Sequence, residues 1–220
     1  MADARRHSLI PAGVLTAVLG VFLWSGIGPR DRFTWVLEVF PAAIAAPLLV
    51  LTYRRFPLTS MAYVLIGLHA MILLVGGHYT YAEVPLFNWL RDTFHFSRNH
   101  FDRLGHFAQG FVPAIVAREV LLRNSPLRPG KWLAVIVFSM CMTISAFYEL
   151  FEYGVAVGTG SAADAFLGSQ GDPWDTQNDM LQCLMGAVTA LVLLSRWHNR
   201  QVERLSCGGG AKAEVSVAVR

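Results

Sequence analysis

The sequence predicts an all-α, polytopic membrane protein with about six transmembrane helices and a short interfacial helix. Three observations predict it. Of the 220 residues 54% are hydrophobic and only 15% are charged, well short of the roughly 25% charge of a soluble domain. The apolar residues gather into six runs, roughly 9–27, 34–52, 60–76, 104–122, 132–153 and 178–195. Each run is near the ~17–25 residues that cross ~30 Å of hydrocarbon. Finally, Lys and Arg are distributed unevenly between alternate connections, as membrane topology requires. The same composition excludes a disordered chain, and three cysteines cannot staple 220 residues as a disulfide scaffold.

The first run follows Arg5 and Arg6 but is longer than a signal-peptide core, and no A-x-A site follows Trp24. It is expected to be retained as a helix. The second and third runs, TWVLEVFPAAIAAPLLVLT and SMAYVLIGLHAMILLVG, are apolar almost throughout. The fourth, LGHFAQGFVPAIVAREVLL, is the weakest, interrupted by His106, Gln109, Pro113, Arg118 and Glu119. The fifth is WLAVIVFSMCMTISAFYELFEY and the sixth NDMLQCLMGAVTALVLLS. Residues 1–200 form one transmembrane domain, and the glycine-rich 201–220 is read as a flexible cytoplasmic tail.

Two long connections are expected to form ordered lids. In 77–103, Leu86, Phe87, Leu90 and Phe94 fall at helical spacing behind Pro85. This is the signature of a helix lying in the headgroup layer. In 155–177, Ser161 and Asp164 predict the start of a short helix that Gly168 closes.

Twelve basic residues lie in one set of segments: Arg5, Arg6, Arg54, Arg55, Arg123, Arg128, Lys131, Arg196, Arg200, Arg204, Lys212 and Arg220. The opposite set holds five: Arg30, Arg32, Arg91, Arg98 and Arg103. The positive-inside rule therefore places both termini in the cytoplasm. Arg118 is expected to snorkel to the cytoplasmic boundary. The net charge of +3 is a topology signal and no nucleic-acid patch. Cys141, Cys183 and Cys207 have no CxxC spacing and read as small packing residues.

Ionisable residues inside spans cost about 2.5–3.5 kcal/mol each on insertion scales, so each requires a reason. His106 lies 17 residues from Arg123, Glu149 lies 18 from Lys131, and Asp179 lies 17 from Arg196. At 1.5 Å per residue, each sits about 26 Å from the cytoplasmic boundary. Asp102, His106 and Gln109 share one helical stripe, Glu149 and Glu152 another, and Asp175, Asp179 and Gln182 a third. These faces predict one outward-opening polar pocket. Asp102 is open to a second reading as the N-cap of the fourth span, and Asp175 as the acidic third position behind an Asp172 cap. His78 lies close enough in depth to join the pocket, and His95 and His100 lie in the same outer connection. Each has a second, headgroup-facing reading, while His69 reads as a lone mid-span histidine with one hydrogen bond. His7 and His198 flank helix ends and carry no signal.

HYTYAEVPLFNWLRDTFHFSRNHFDRLGHFAQGFVPA, AFYELFEY and GSQGDPWDTQNDMLQCLMGA together resemble the YjdF-like inner-membrane proteins of bacteria, over roughly 35–200. A looser VanZ-like pattern is echoed in Asp102 to His106, Glu149 to Glu152 and Asp179 to Gly186. The chain departs from it with Arg103 for Lys, Glu152 for Gln and Cys183 for Asn. The resemblance implies a bacterial inner (plasma) membrane location and the same His/Glu/Asp set, and it implies no reaction.

Three function classes follow. One is a metal-dependent enzyme on a lipid or lipid-linked envelope substrate. It would use Zn, Mn or Mg held by His106, Glu149, Asp179 and Asp102, with Glu152 or Asp175 as the catalytic base. The second is a protein that binds or transports a cation, a proton or an amine headgroup. The third is an accessory membrane protein whose polar cluster fixes helix packing. Membrane lipids are partners in all three. HExxH, GxSxG and phosphate-gripping Gly-rich Lys motifs are absent.

Overall fold

Each apolar run becomes a helix, because backbone groups removed from water must pair within their own segment. The computed structural model describes the backbone of residues 2–217 and the side chains of 9–160 and 162–205. Helix makes up 83% of it, and no strand occurs among the described residues. The order is α1 (Ala2–Ser25), α2 (Arg32–Thr52), α3 (Ser60–Tyr79), α4 (Pro85–Phe94), α5 (Phe101–Asn124), α6 (Lys131–Thr159), α7 (Asp164–Leu167) and α8 (Asp175–Val217). The side chains of Arg5, Arg6, His7, Ser161, Cys207, Lys212 and Arg220 lie outside the described residues.

Length and composition qualify four helices to cross a membrane: Arg32–Thr52, Ser60–Tyr79, Lys131–Thr159 and Asp175–Leu205. Leu9–Ser25 is a shorter apolar helix. The fourth run is helical as α5, but its charged residues keep it out of that set, so length and composition support fewer than the six spans expected. Large apolar side chains such as Leu51, Phe147 and Val192 lie on the outside of the bundle. That is the arrangement of helices whose solvent is lipid.

Local signals set the helix starts. Asp31 Oδ1 accepts from the Thr34 amide at 2.6 Å to cap α2, and Thr59 Oγ1 accepts from the Ala62 amide to cap α3. Pro85 opens α4 at its first turn, and His95 closes it in a left-handed conformation. Three capping expectations need correction. The N-cap position of α5 is His100, and Asp102 lies inside the helix with its carboxylate turned to Arg98 and His106. Asp172 accepts from the Trp174 amide at 3.0 Å, which closes a turn ahead of α8, and the helix itself begins only at Asp175. Gly168 does close α7, but Ala163 is its N-cap position and no side chain caps it.

Helix α5 is central, packed on α8, α6 and α3. It approaches α8 at two glycines. A Cβ on Gly110 would sit 1.8 Å from the Cys183 carbonyl oxygen, and one on Gly186 would sit 2.0 Å from that of Phe107. Small residues let membrane helices approach this closely and gain van der Waals contact. Ala114, Ala187 and Ala190 continue the seam with Cys141 and Cys183. Both of these thiols are buried packing residues, with weak bonds to the carbonyls of Gly110 and Cys141.

The basic end departs from expectation. Arg118 does not snorkel; it is buried, and donates to His198 Nδ1 at 2.8 Å and to Asn199 Oδ1. His198 is fully buried as well and bonds Glu119 Oε2 at 3.0 Å. Burial of these groups is possible because each finds a polar partner on a neighbouring helix.

Candidate functional site

At the opposite end, helix geometry stacks acids toward one point. Asp102 and His106 are one turn apart on α5, and His106 Nε2 stands 3.5 Å from Asp102 Oδ1. From α6, Glu149 brings Oε1 to 3.7 Å from His106 Nδ1, and from α5 itself Gln109 Oε1 approaches that nitrogen at 3.2 Å. From α8 comes Asp179. One ligand atom from each of Asp102, His106 and Asp179 lies within 4.8 Å of the other two, and all three residues are buried. Ligands about 2.0–2.2 Å from one metal can stand up to roughly 4.3 Å apart. The three groups therefore lie near the spacing that ligands of one ion require.

Asp179 Oδ1 and Glu149 Oε1 are buried with no hydrogen-bond partner. A buried carboxylate oxygen without a donor costs on the order of 1–3 kcal/mol or more. Glu152 lies one turn beyond Glu149 and is half-buried, and Gln182 continues the Asp179 face.

Arg98 is a hub that sequence reasoning assigned only to a connection. Although only 5% exposed, it donates to Asp175 Oδ1, to Asp102 Oδ2 at 3.3 Å, to Asp172 Oδ2 at 3.4 Å and to the Gly168 carbonyl at 3.1 Å. Burial alone works against its charge, but the bond and charge of Asp175, then Asp102 and Asp179, outweigh it and raise its pKa. Arg103 adds a bond to Asp172 at 3.1 Å. The Asp172 carboxyl is held below its ordinary value by the Trp174 amide and by Asn178, Arg98 and Arg103.

Glu38 was also missed. It lies on α2, 4% exposed, accepts from the Tyr148 hydroxyl at 3.3 Å, and is approached by Tyr81. Tyr148 in turn meets the His106 ring edge to face. The signal was available: Glu38 stands 16 residues before Arg54, the same depth relation that singles out His106, Glu149 and Asp179.

Two braces hold this end together. Tyr81 fills the space that Gly76 and Gly105 leave, where a Cβ would fall 2.2 and 2.8 Å from its ring. Asn99 and Gln170 exchange paired bonds, each 2.9 Å, which join the two long connections. The remaining histidines stand apart. His78 bonds the Ser25 carbonyl at 3.0 Å and packs on Trp24, and His95 ends α4 at the surface. His69 Nε2 has no hydrogen-bond partner, contrary to the single bond expected of it. Burial, then Arg103 and Arg98, lowers the His100 pKa.

Comparison with known proteins now adds identity to geometry. The family described as "Predicted membrane protein (DUF2238)" matches residues 10–200. The inner membrane protein YjdF of Escherichia coli (strain K12) is 47% identical over 204 residues, covering 93% of this chain and 97% of that protein. No solved structure matches. An apolar bundle of this kind, matched along nearly its whole length, belongs to the DUF2238 family of integral membrane proteins.

Proposed function

We propose that this integral membrane protein holds a divalent cation at the outward-facing, acidic end of its bundle and uses it on a lipid or lipid-linked envelope substrate. Asp102, His106 and Asp179 are the ligands, Glu149 stands within reach as a fourth, and Glu152 or Asp175 is the base. The observation that carries this reading is the pair of buried, donorless carboxylate oxygens, Asp179 Oδ1 and Glu149 Oε1, beside an imidazole. The donor set supports it: Asp102, Glu149, Asp172, Asp175 and Asp179 gather around Arg98, Arg103 and His106, with Glu38 and Glu152 close to His106, so carboxyl groups outnumber the cationic ones. An oxygen-rich set with one imidazole suits Mn or Mg, and Zn in a tighter arrangement. With Asp102, His106 and Asp179 as protein ligands, positions would remain for water and a substrate oxygen, and a bound cation would supply Lewis acidity there.

The proposal includes six spans and cytoplasmic termini. The four qualifying helices are joined by Leu9–Ser25 and by α5, whose charges turn into the bundle rather than toward lipid. The amphipathic α4, with no buried residue, lies in the interface next to the connection that carries Arg98. The Arg98 hub favours a second, structural reading for its own half of the cluster, since it ties the connection before α5 to the start of α8.

The test is metal content. Detergent-purified protein, incubated with Zn, Mn or Mg in turn and dialysed, should retain close to one ion per chain by elemental analysis. Asp179→Asn and His106→Ala should lose it while keeping helical circular dichroism. Wild-type protein that retains none of the three ions would overturn the reading. Metal-dependent turnover of an inner-membrane lipid extract, followed by mass spectrometry, then separates an enzyme from a cation-binding or transport protein.

A further inference from the structure

At the basic end of the bundle, a cavity of about 200 Å³ opens between the last turns of α5, the start of α6 and the distal part of α8. Arg118, Gly130, Leu133, Ser195, Arg196 and Asn199 line it. It is independent of the acidic site: Asp102 and Arg118 are 16 residues apart on one helix, about 24 Å at 1.5 Å per residue.

Arg118 is the unusual member. It is 3% exposed, and both of its bonds go to acceptors without charge: Nη1 to His198 Nδ1 and Nη2 to Asn199 Oδ1. Its sequence neighbour Glu119 faces another side of the helix, where Arg123 Nη1 at 2.8 Å, Thr59 and His198 already occupy it. Because His198 Nδ1 accepts from Arg118, the ring proton sits on Nε2 and is donated to Glu119. The imidazole thus insulates the guanidinium from the carboxylate. Among the described residues, no carboxylate pairs with Arg118 or Arg196. Taking a charge out of water without a counter-charge is opposed by several kcal/mol.

The cavity beside Arg118 is also where α6 begins. Gly130 is the N-cap residue and no side chain caps the helix, so its first amides are unshared. Helix N-termini present such amides, with a partial positive charge, to anions. A buried guanidinium, a second arginine, a serine hydroxyl, an amide side chain and the uncapped start of α6 therefore line one space. These forked, directional donors match a tetrahedral oxyanion better than a spherical one.

We propose that this cavity binds a phosphate group, which supplies the counter-charge of Arg118. The group is either the phosphodiester of a phospholipid headgroup or free phosphate.

Two probes distinguish the sources. The full-length protein, delipidated in detergent, is titrated with inorganic phosphate by calorimetry. In parallel, native mass spectrometry follows its retention of added dioleoylphosphatidylglycerol. Because Arg118→Gln risks misfolding, the informative variants are Arg196→Gln, which removes one donor, and Ala134→Phe, which fills the cavity from its α6 wall. Arg200→Gln, outside the cavity lining, is the control. Saturable binding of phosphate identifies a soluble anion, and retention of the lipid alone identifies a headgroup. In either case, Arg196→Gln should weaken binding by about tenfold or more, Ala134→Phe should abolish it, and Arg200→Gln should match wild type. Failure of both probes to bind wild-type protein, or equal binding in all the variants, would overturn the proposal.

Discussion

The two ends of the bundle each bury a histidine against a carboxylate, and they differ in what is left over. At the basic end, Glu119 receives four donors: the Thr59 amide and Arg123 on Oε1, and the Thr59 hydroxyl and His198 on Oε2. No buried side-chain atom of Glu119 or His198 lacks a partner. At the acidic end, His106 stands 3.5 and 3.7 Å from Asp102 and Glu149, and Asp179 Oδ1 and Glu149 Oε1 accept no hydrogen bond. The Glu119 carboxylate is saturated, so it has no place for a further ligand and serves to fix α3, α5 and α8 against one another. An unsaturated cluster leaves buried acceptor oxygens whose desolvation no donor offsets, which is what the proposed cation would relieve. The comparison separates a clamp from a site by counting donors, not by counting charges.

The largest expected effect breaks the saturated end. Glu119→Ala leaves Arg123, His198 and Thr59 facing an uncompensated gap, and removal of one partner from a buried pair costs about 3–5 kcal/mol. The thermal midpoint in detergent, followed by circular dichroism, should fall sharply. An unchanged midpoint would mean that the network is no clamp. Next comes the seam that both ends share. Gly110→Ala drives a methyl into the Cys183 carbonyl, and such overpacking costs roughly 1–3 kcal/mol. It should lower the midpoint and weaken metal uptake together, since α5 and α8 carry Asp102, His106 and Asp179.

The unsaturated end should respond with the opposite sign. Glu149→Gln keeps the side chain's shape and its Thr176 contact while removing a buried charge whose Oε1 has no donor, so the metal-free protein should be as stable as wild type or more so, by about 1 kcal/mol. Its metal affinity should fall about tenfold or more. A large loss of stability without metal would show that Glu149 belongs to a clamp after all.

Much of the acidic end was legible before any coordinates, because depth in a membrane can be counted from basic anchors along a rigid helix. His106, Glu149 and Asp179 were found that way, and Glu38 satisfies the same relation to Arg54. Arg98 was not legible. Its position in a connection is chosen by carboxylates that come from residues 102, 172 and 175, and no local pattern reports that convergence. Asp102 shows the limit of capping rules: its position suits an N-cap, but Arg98 and His106 offer the carboxylate stronger partners, and the helix starts without it. The clamp was hidden for a similar reason. Arg118 and His198 sit near helix ends, where exposure is the rule, and 80 residues separate the partners that bury them. Six runs were visible by apolar length, but α5 earns its helix through inward polar contacts that hydropathy alone discounts.

The smallest effect tests whether the connection above the acidic site shares its electrostatics. His100 precedes α5, its Nδ1 is buried without a partner, and burial together with Arg103 and Arg98 lowers its pKa from the ordinary 6.5. The folded state therefore binds fewer protons at this ring than the unfolded chain does. Its contribution to stability is fully present above pH 6.5 and is lost as pH falls through the lower folded value. Thermal midpoints measured from neutral pH downward should decline, and His100→Gln should flatten the part of that decline just below 6.5. Asp172 contributes with the same sign in a more acidic window: its carboxyl is held below 3.8, so its share persists above that pH and disappears only as pH falls through its folded value. A His100→Gln profile parallel to wild type just below pH 6.5 would mean that neither burial nor the charges of Arg103 and Arg98 act on this ring, and that the connection above the acidic cluster is electrostatically open to solvent.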